Sequence, residues 1–290
     1  MSAIFDDRQH ILLSQRADLG TWTLPGGRLD EHEPLAEAAA REVQEETGIA
    51  ASHLKPFCLV YMQGWKRMNV MFRGQVSGGS LHRKTDETRA NAFAPLMDAR
   101  LPAHISSLLS QFRPLPMILT TPSSELRRVR AALARRYVWN WLRGKPEPRY
   151  PRFQVRAVGL FWEHTHRRVV TIKRGHGRAL PRVLCDGLRA PWVQLGDAVR
   201  DACGLSAQLT WVGVWEDAAT NQLEFVFAAS LHEAPLFRAG EWTSARNAAL
   251  PERDLKYLER TRASFEHDPI WMMQPDAETA ADMTITSLGR

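Results

Sequence analysis

One stretch constrains this chain more than any other: the acidic, alanine-rich run from Gly26 to Ile49, GGRLDEHEPLAEAAAREVQEETGI. Pro34 suits a first helical position, and Glu33 precedes it near the positive end of the helix dipole. The alanines propagate a helix, and Gly48 can take the left-handed conformation that closes it, so a helix of about thirteen residues is expected. Leu35, Ala39 and Val43 recur at four-residue steps and predict its buried stripe. Glu42, Glu45 and Glu46 fall at i, i+3 and i+4, which brings their carboxylates to a common side beside that stripe.

Such crowding costs a few tenths of a kcal/mol per like-charged pair, and more as water is excluded. A divalent cation would reverse the sign. Oxygen-only ligands of this kind suit Mg²⁺ or Mn²⁺. Arg41, adjacent to Glu42 and four residues before Glu45, is placed to hold a carboxylate in position. Ahead of the helix, Leu24-Pro25-Gly26-Gly27 can bring bare backbone close to a ligand, offering carbonyls to metal and amides to phosphate.

These residues match the Nudix box G-x5-E-x7-R-E-U-x-E-E-x-G-U, with U a large apolar residue, at Gly27, Glu33, Arg41, Glu42, Val43, Glu45, Glu46, Gly48 and Ile49. Residues 2–112 therefore resemble the Nudix hydrolases, and Ile11–Arg16 with Gly20-Thr21-Trp22 look like the strand and approach that precede the box. The resemblance implies a Mg²⁺- or Mn²⁺-dependent pyrophosphohydrolase that cleaves a nucleoside diphosphate linked to another group. It implies that Glu42, Glu45, Glu46 and the Gly26 carbonyl hold metal, while Arg41 and Glu33 organise loop and helix. Glu42 is one candidate for the general base. Glu87, in a loop where many relatives carry a further glutamate, is a second, and is also a candidate metal ligand. Gly27, Arg16, Trp22, Tyr61 and Trp65 are candidates for substrate contact.

The second half repeats the skeleton of the first. An ungapped shift of 156 residues places Leu180-Pro181 on Leu24-Pro25, Val199 on Val43 and Gly204-Leu205 on Gly48-Ile49. The carboxylates do not follow: Arg189, Asp197, Ala198 and Ala202 stand at the positions of Glu33, Arg41, Glu42 and Glu46, and only Asp201 answers Glu45. A second Nudix-like fold without catalysis is expected over residues 151–266, with a tail over 267–290. Arg152–Arg156 precede its first strand, whereas the first half begins almost inside the matching strand, so the amino terminus is expected to be shortened or completed by another segment.

The net charge of +6 is not spread along the chain. Residues 113–150 carry nine basic and two acidic side chains, 9 − 2 = +7. Pro114, Pro116, Pro146 and Pro148 bracket this segment as a linker. Within it Leu126, Val129, Leu133, Tyr137 and Trp141 recur at helical spacing after Ser123 and Ser124 and before Gly144, predicting a basic amphipathic helix. Its stripe is expected to act as a strut, with an RNA-attracting rim as the alternative.

The expected fold class is α/β: two Nudix-like α/β/α sandwiches with mixed sheets, catalytic over residues 1–112 and degenerate over 151–266. Closing helices are expected near 101–112 and 251–265. No signal peptide or long apolar run is present, so a cytoplasmic protein without membrane contact is expected. Cys58, Cys185 and Cys203 lie far apart and read as reduced packing residues. A small nucleotide is the expected substrate, an RNA 5′ end and a homodimer being further possibilities. The proline that many ADP-ribose hydrolases carry beyond the box is absent, Gly64 and Trp65 standing there instead. The competing reading is a catalytically silent sensor of nucleotide or RNA.

Overall fold

Side chains of the first two strands alternate between the two faces of the first sheet. In the computed structural model, which describes residues 1–96, 98, 100, 101, 105, 106, 109, 116–120, 123–144, 151–231, 240–245, 249–264 and 270–275, the chain divides into two units, Met1–Arg152 and Phe153–Arg290. The first unit runs β1 (Ser2–Phe5), β2 (Ile11–Arg16), β3 (Trp22–Thr23), α1 (Leu35–Thr47), β4 (Ile49–Met62), a 3₁₀ turn at Gln63–Trp65, β5 (Arg67–Gly79), β6 (Thr88–Ala94), β7 (Pro116–Leu119) and α2 (Ser123–Leu142). The sheet order is β3-β2-β1-β5-β4-β7, with β6 on the other side of β2. Parallel pairs β1·β5 and β4·β7 among antiparallel neighbours make it mixed.

Ile4 and Leu12 point to one face, where Val43 of α1 and Ile49 cover them. Their chain neighbours Ala3, Phe5, Ile11 and Leu13 point to the other, against Leu101, Ile105 and Leu109. The i, i+4, i+8 spacing of those last three is that of a helix face; most of the closing helix expected near 101–112 lies outside the described residues. Burying each of the leucine, isoleucine and valine side chains among them stabilises the unit by roughly 1.5–3 kcal/mol.

Helix α1 has the expected thirteen residues, with Pro34 as its cap instead of its first residue, and Gly48 closing it at φ 76°. The linker departs from expectation. Pro116–Leu119, placed in a proline-broken connector by composition, is β7, the parallel partner of β4. Proline is tolerated there because β7 ends the sheet and Pro116 is its first residue, where no ladder donor is needed. Helix α2 follows as predicted, but only Leu126, Val129 and Leu133 of its stripe are half-buried; Tyr137 and Trp141 are exposed at 54% and 68%.

The second unit runs β8 (Gln154–Glu163), β9 (Arg168–Arg174), β10 (Gly177–Ala179), β11 (Arg182–Leu184), α3 (Pro191–Cys203), β12 (Thr210–Asp217), β13 (Gln222–Leu231), β14 (Gly240–Ser244), α4 (Glu252–Ser264) and β15 (Trp271–Met273). Its order, β10-β9-β8-β13-β12-β15 with β14 on β9, retraces the first sheet strand for strand, β11 on β8 being additional. Helices α1 and α3 begin 191 − 35 = 156 residues apart, have equal length, and end on left-handed glycines, Gly48 at φ 76° and Gly204 at φ 69°. The expected tail is corrected at β15, which pairs in parallel with β12 as β7 does with β4. Gly213 makes room for it: a Cβ there would lie 2.2 Å from the Trp271 ring. Residues 276–290 lie outside the described residues.

Trp162, Trp211, Trp215 and Trp271 are buried core residues. Beside them Glu224, 1% exposed, accepts the Tyr257 hydroxyl at 2.8 Å, and Asp254 accepts the Leu180 amide at 2.9 Å and pairs with Arg182. The three cysteines are free, Cys58 and Cys203 buried. Among the described residues no helix is long and apolar enough to cross a membrane.

Candidate active site

The loop before α1 folds back on the helix because two of its glycines leave space for carboxylates and backbone. An added Cβ on Gly27 would lie 2.2–2.5 Å from both carboxylate oxygens and Cδ of Glu42, so that carboxylate fills the space a side chain would need. Glu42 Oε1 accepts the Arg28 amide at 3.1 Å. One turn further along, Glu46 Oε2 accepts the Gly26 amide at 3.0 Å. Gly26 has φ 145°, and a Cβ there would strike Met1 Cα at 2.6 Å.

Arg41 gathers the rest. Its Nε and Nη2 donate to the two oxygens of Glu33 at 2.7 and 2.9 Å, its Nη1 to Glu42 at 3.0 Å and Glu45 at 3.1 Å, and its Nη2 also to the Arg28 carbonyl at 3.0 Å. The bidentate Arg41 contact holds Glu33 below the usual carboxylate range, and Glu33 and Glu42 in turn raise Arg41. One guanidinium thus fixes the loop to the helix. Among the described residues no three His, Cys, Asp or Glu side chains form a ready metal cage; Arg41 engages Glu42 and Glu45.

Glu46 is 9% exposed, unlike Glu45, whose side chain is 61% exposed. Burial pushes the Glu46 carboxyl up to about 7, the charges of Glu42 and Glu87 adding to the rise and the Gly26 amide and Arg16 opposing it. Glu87 is therefore near enough to be felt at Glu46. Its loop is held by the Ala17 amide on the Glu87 carbonyl at 2.9 Å. Arg16 makes a two-pronged pair with Asp18 at 2.9 and 2.7 Å, which raises its pKa.

The structure thus brings together Gly26, Gly27, Glu33, Arg41, Glu42, Glu45 and Glu46, with Arg16 and Glu87 within electrostatic reach. The aromatic candidates fare differently. Trp22 is half-buried with the Arg100 guanidinium 4.8 Å over its ring. Tyr61 is corrected: at 3% exposure it is a core residue with no face to offer a base. Trp65 is half-exposed in the 3₁₀ turn, where Arg130 donates to the Gly64 carbonyl at 3.3 Å. Sequence reasoning passed over Arg28, which acts through its backbone, and Thr88 and Asn91, two buried polar residues of β6 that donate to the Glu46 carbonyl at 3.3 and 2.8 Å.

The family model described as NUDIX domain matches residues 1–112. Residues 1–112 are a NUDIX domain. Within it the chain is 35% identical over 85 residues to a Bacillus subtilis (strain 168) protein provisionally named 8-oxo-dGTP diphosphatase, a match covering 29% of this chain and 57% of that protein. It is 33% identical over 104 residues to an 8-oxo-dGDP phosphatase of Danio rerio, covering 35% of this chain and 32% of the relative. The chain thus spans between a third and somewhat over half of the length of these relatives. A solved ADP-ribose pyrophosphatase of Streptococcus suis is 26% identical with a TM-score of 0.33, covering 41% of this chain and 95% of that one.

The second unit keeps the clamp of the NUDIX domain with its polarity reversed. Where Arg41 holds Glu33, Asp197 holds Arg189 at 2.7 Å, and Asp197 also pairs with Arg200. The fastening of loop to helix survives in charge-swapped form, while alanines stand at the positions of Glu42 and Glu46 and only Asp201 answers Glu45. Within the NUDIX domain, Gly27→Ala is expected to displace the Glu42 carboxylate and lower kcat/KM at least about a hundredfold, with the melting temperature moved by only a few degrees. Steady-state rates and a thermal melt of the same preparation check both halves of that expectation.

Proposed function

We propose that the NUDIX domain is a Mg²⁺- or Mn²⁺-dependent pyrophosphohydrolase acting on a nucleoside diphosphate linked to another group. The observation that supports it most is the seating of Glu42 and Glu46 on the glycine loop, one in the space left by Gly27 and one on the Gly26 amide. A structural salt-bridge helix would have no need of that arrangement. The donor set fits a hard divalent cation: oxygen ligands only, with Glu42 and Glu46 largely shielded from water and the charges of Glu42 and Glu87 disfavouring that of Glu46. Glu42, Glu46 and the Gly26 carbonyl would hold it, joined by Glu45 on exchanging its Arg41 contact and by Glu87. When bound, such ions supply Lewis-acid charge and lower the pKa of water.

The chain's own groups do the rest. Arg41 and Glu33 keep the loop on the helix, so that backbone groups stay aimed at the diphosphate. Glu42 and Glu87, the latter on an exposed loop near Glu46, are the two candidates to accept the proton of the attacking water. Arg16, which feels the charges of Glu46 and Glu87, would meet a phosphate, and Trp22 would border the rest of the substrate. The names of the Bacillus and Danio relatives make oxidised purine deoxynucleotides the first class to try. The second unit, read as a degenerate copy, would be scaffold or interface.

The test is a panel of 8-oxo-dGTP, 8-oxo-dGDP, ADP-ribose, dinucleoside polyphosphates and capped RNA with Mg²⁺ or Mn²⁺. Turnover of a small nucleotide, lost in Glu45→Gln and Glu46→Gln, is the expected result. Tight nucleotide binding with no turnover of any member would replace the hydrolase with a sensor, and turnover of capped RNA alone would replace the substrate class.

A further inference from the structure

We propose that Asn91 is a positioning residue that fastens the end of α1 bearing Glu46 to the loop bearing Glu87, so that both carboxylates serve one divalent cation. This rests on the hydrolase reading above. Asn91 is 5% exposed on β6, with its side chain under the last turn of α1. Its amide nitrogen is 2.8 Å from the Glu46 carbonyl, 2.8 Å from the His82 carbonyl and 3.0 Å from Thr88 Oγ1. One NH₂ group therefore ties a helix end to the start of a loop.

The last carbonyls of a helix lack intrahelical donors, and water or a glycine motif commonly satisfies them. Here Asn91 and Thr88 supply donors from a neighbouring strand to the carbonyl of the residue whose carboxylate faces the glycine loop. The same two residues organise the other side. The Asn91 backbone N–H donates to the Arg83 carbonyl at 3.0 Å, the His82 backbone N–H to the Thr47 carbonyl at 2.8 Å, and Thr88 bonds Thr85, whose hydroxyl takes the Glu87 backbone N–H at 3.3 Å. These links from Glu46 to Glu87 run through β6 and the loop that leads into it. The Asn91 carbonyl oxygen is buried without a hydrogen-bond partner among the described residues, so the side chain is kept for its donors at a cost in its acceptor.

A purely structural clamp would lower stability and leave the two carboxylates independent. A positioning clamp couples them. Mn²⁺ affinity of the full chain, measured by calorimetry in Asn91→Ala, Glu87→Gln and the double variant, separates the two. Each single change is expected to weaken Mn²⁺ binding about tenfold, and the double change no further, because both remove the same ligand. Should Asn91→Ala not fold, Asn91→Ser, which keeps one donor, enters the same cycle. Unchanged affinity in the Asn91 variant, or losses that multiply in the double variant, would overturn the proposal alone. Wild type that binds no Mn²⁺ would overturn it together with the hydrolase reading.

Discussion

Glu46→Gln is expected to lower kcat/KM at least about a thousandfold and, in the metal-free protein at pH 8, to raise stability. The two effects have one cause. Glu46 lies in a place where burial and the charges of Glu42 and Glu87 disfavour its ionised form, pushing it up to about 7. A carboxyl whose folded pKa lies above its unfolded value contributes stability that is complete below the unfolded pKa, near 4.5, and is lost as pH rises through the folded one. A difference of two to three pKa units corresponds to about 3 kcal/mol at the high-pH limit. Metal-free wild type should therefore weaken between pH 5 and pH 8, whereas the glutamine variant, which still accepts the Gly26 amide, should not. Chemical denaturation at the two pH values, with and without chelator, reads the effect. Equal pH dependence in both proteins would show that Glu46 ionises without penalty.

Arg41→Ala should be the most damaging single change to the loop. The guanidinium bonds three carboxylates and a backbone carbonyl, and Glu33 and Glu42 retain only 15% and 13% side-chain exposure. Removing it leaves two largely desolvated carboxylates without their cation, a loss expected at about 2–4 kcal/mol. Arg41→Lys should recover little, since an ammonium cannot reproduce the two parallel bonds to Glu33. The loop would swing away, and kcat would fall with little change in KM if the diphosphate is held chiefly through metal. A lysine variant with wild-type rate and melting temperature would mean that the fork geometry is irrelevant.

Much of this was written in the sequence because it depends on local spacing. The limits of α1, its buried stripe of Leu35, Ala39 and Val43, and the left-handed Gly48 follow from residues within one helix. The equivalence of the halves was visible in the shift of 156 residues and recurs as one strand order followed twice. What escaped depends on contacts between distant segments. Pro116–Leu119 and Trp271–Met273 are short, and one contains proline, so only their pairing with β4 and β12 makes them strands. Tyr61 reads as a base-stacking candidate until β4 places it in the core. Helical spacing put Glu42, Glu45 and Glu46 together, but it could not say that Glu46 would be buried, Glu45 exposed and Glu42 seated against Gly27. Asn91 gave no local signal: it is a polar residue in a short strand, and its role lies in carbonyls 45 and 9 residues away.

The charge-swapped Arg189–Asp197 clamp shows how the two halves diverge. In both units an ion pair, of opposite polarity, fastens the loop to the helix. The carboxylates of Glu42 and Glu46 have no counterpart in the second unit, where Ala198 and Ala202 stand.

The most direct measurement is anomalous diffraction from crystals of the full chain grown with Mn²⁺ and a non-hydrolysable nucleotide bearing a methylene-bridged diphosphate. Manganese peaks between the Glu42 and Glu46 carboxylates and the bridged phosphates are the predicted result. Manganese absent from the glycine loop, or nucleotide bound with its phosphates turned away from α1, would contradict it.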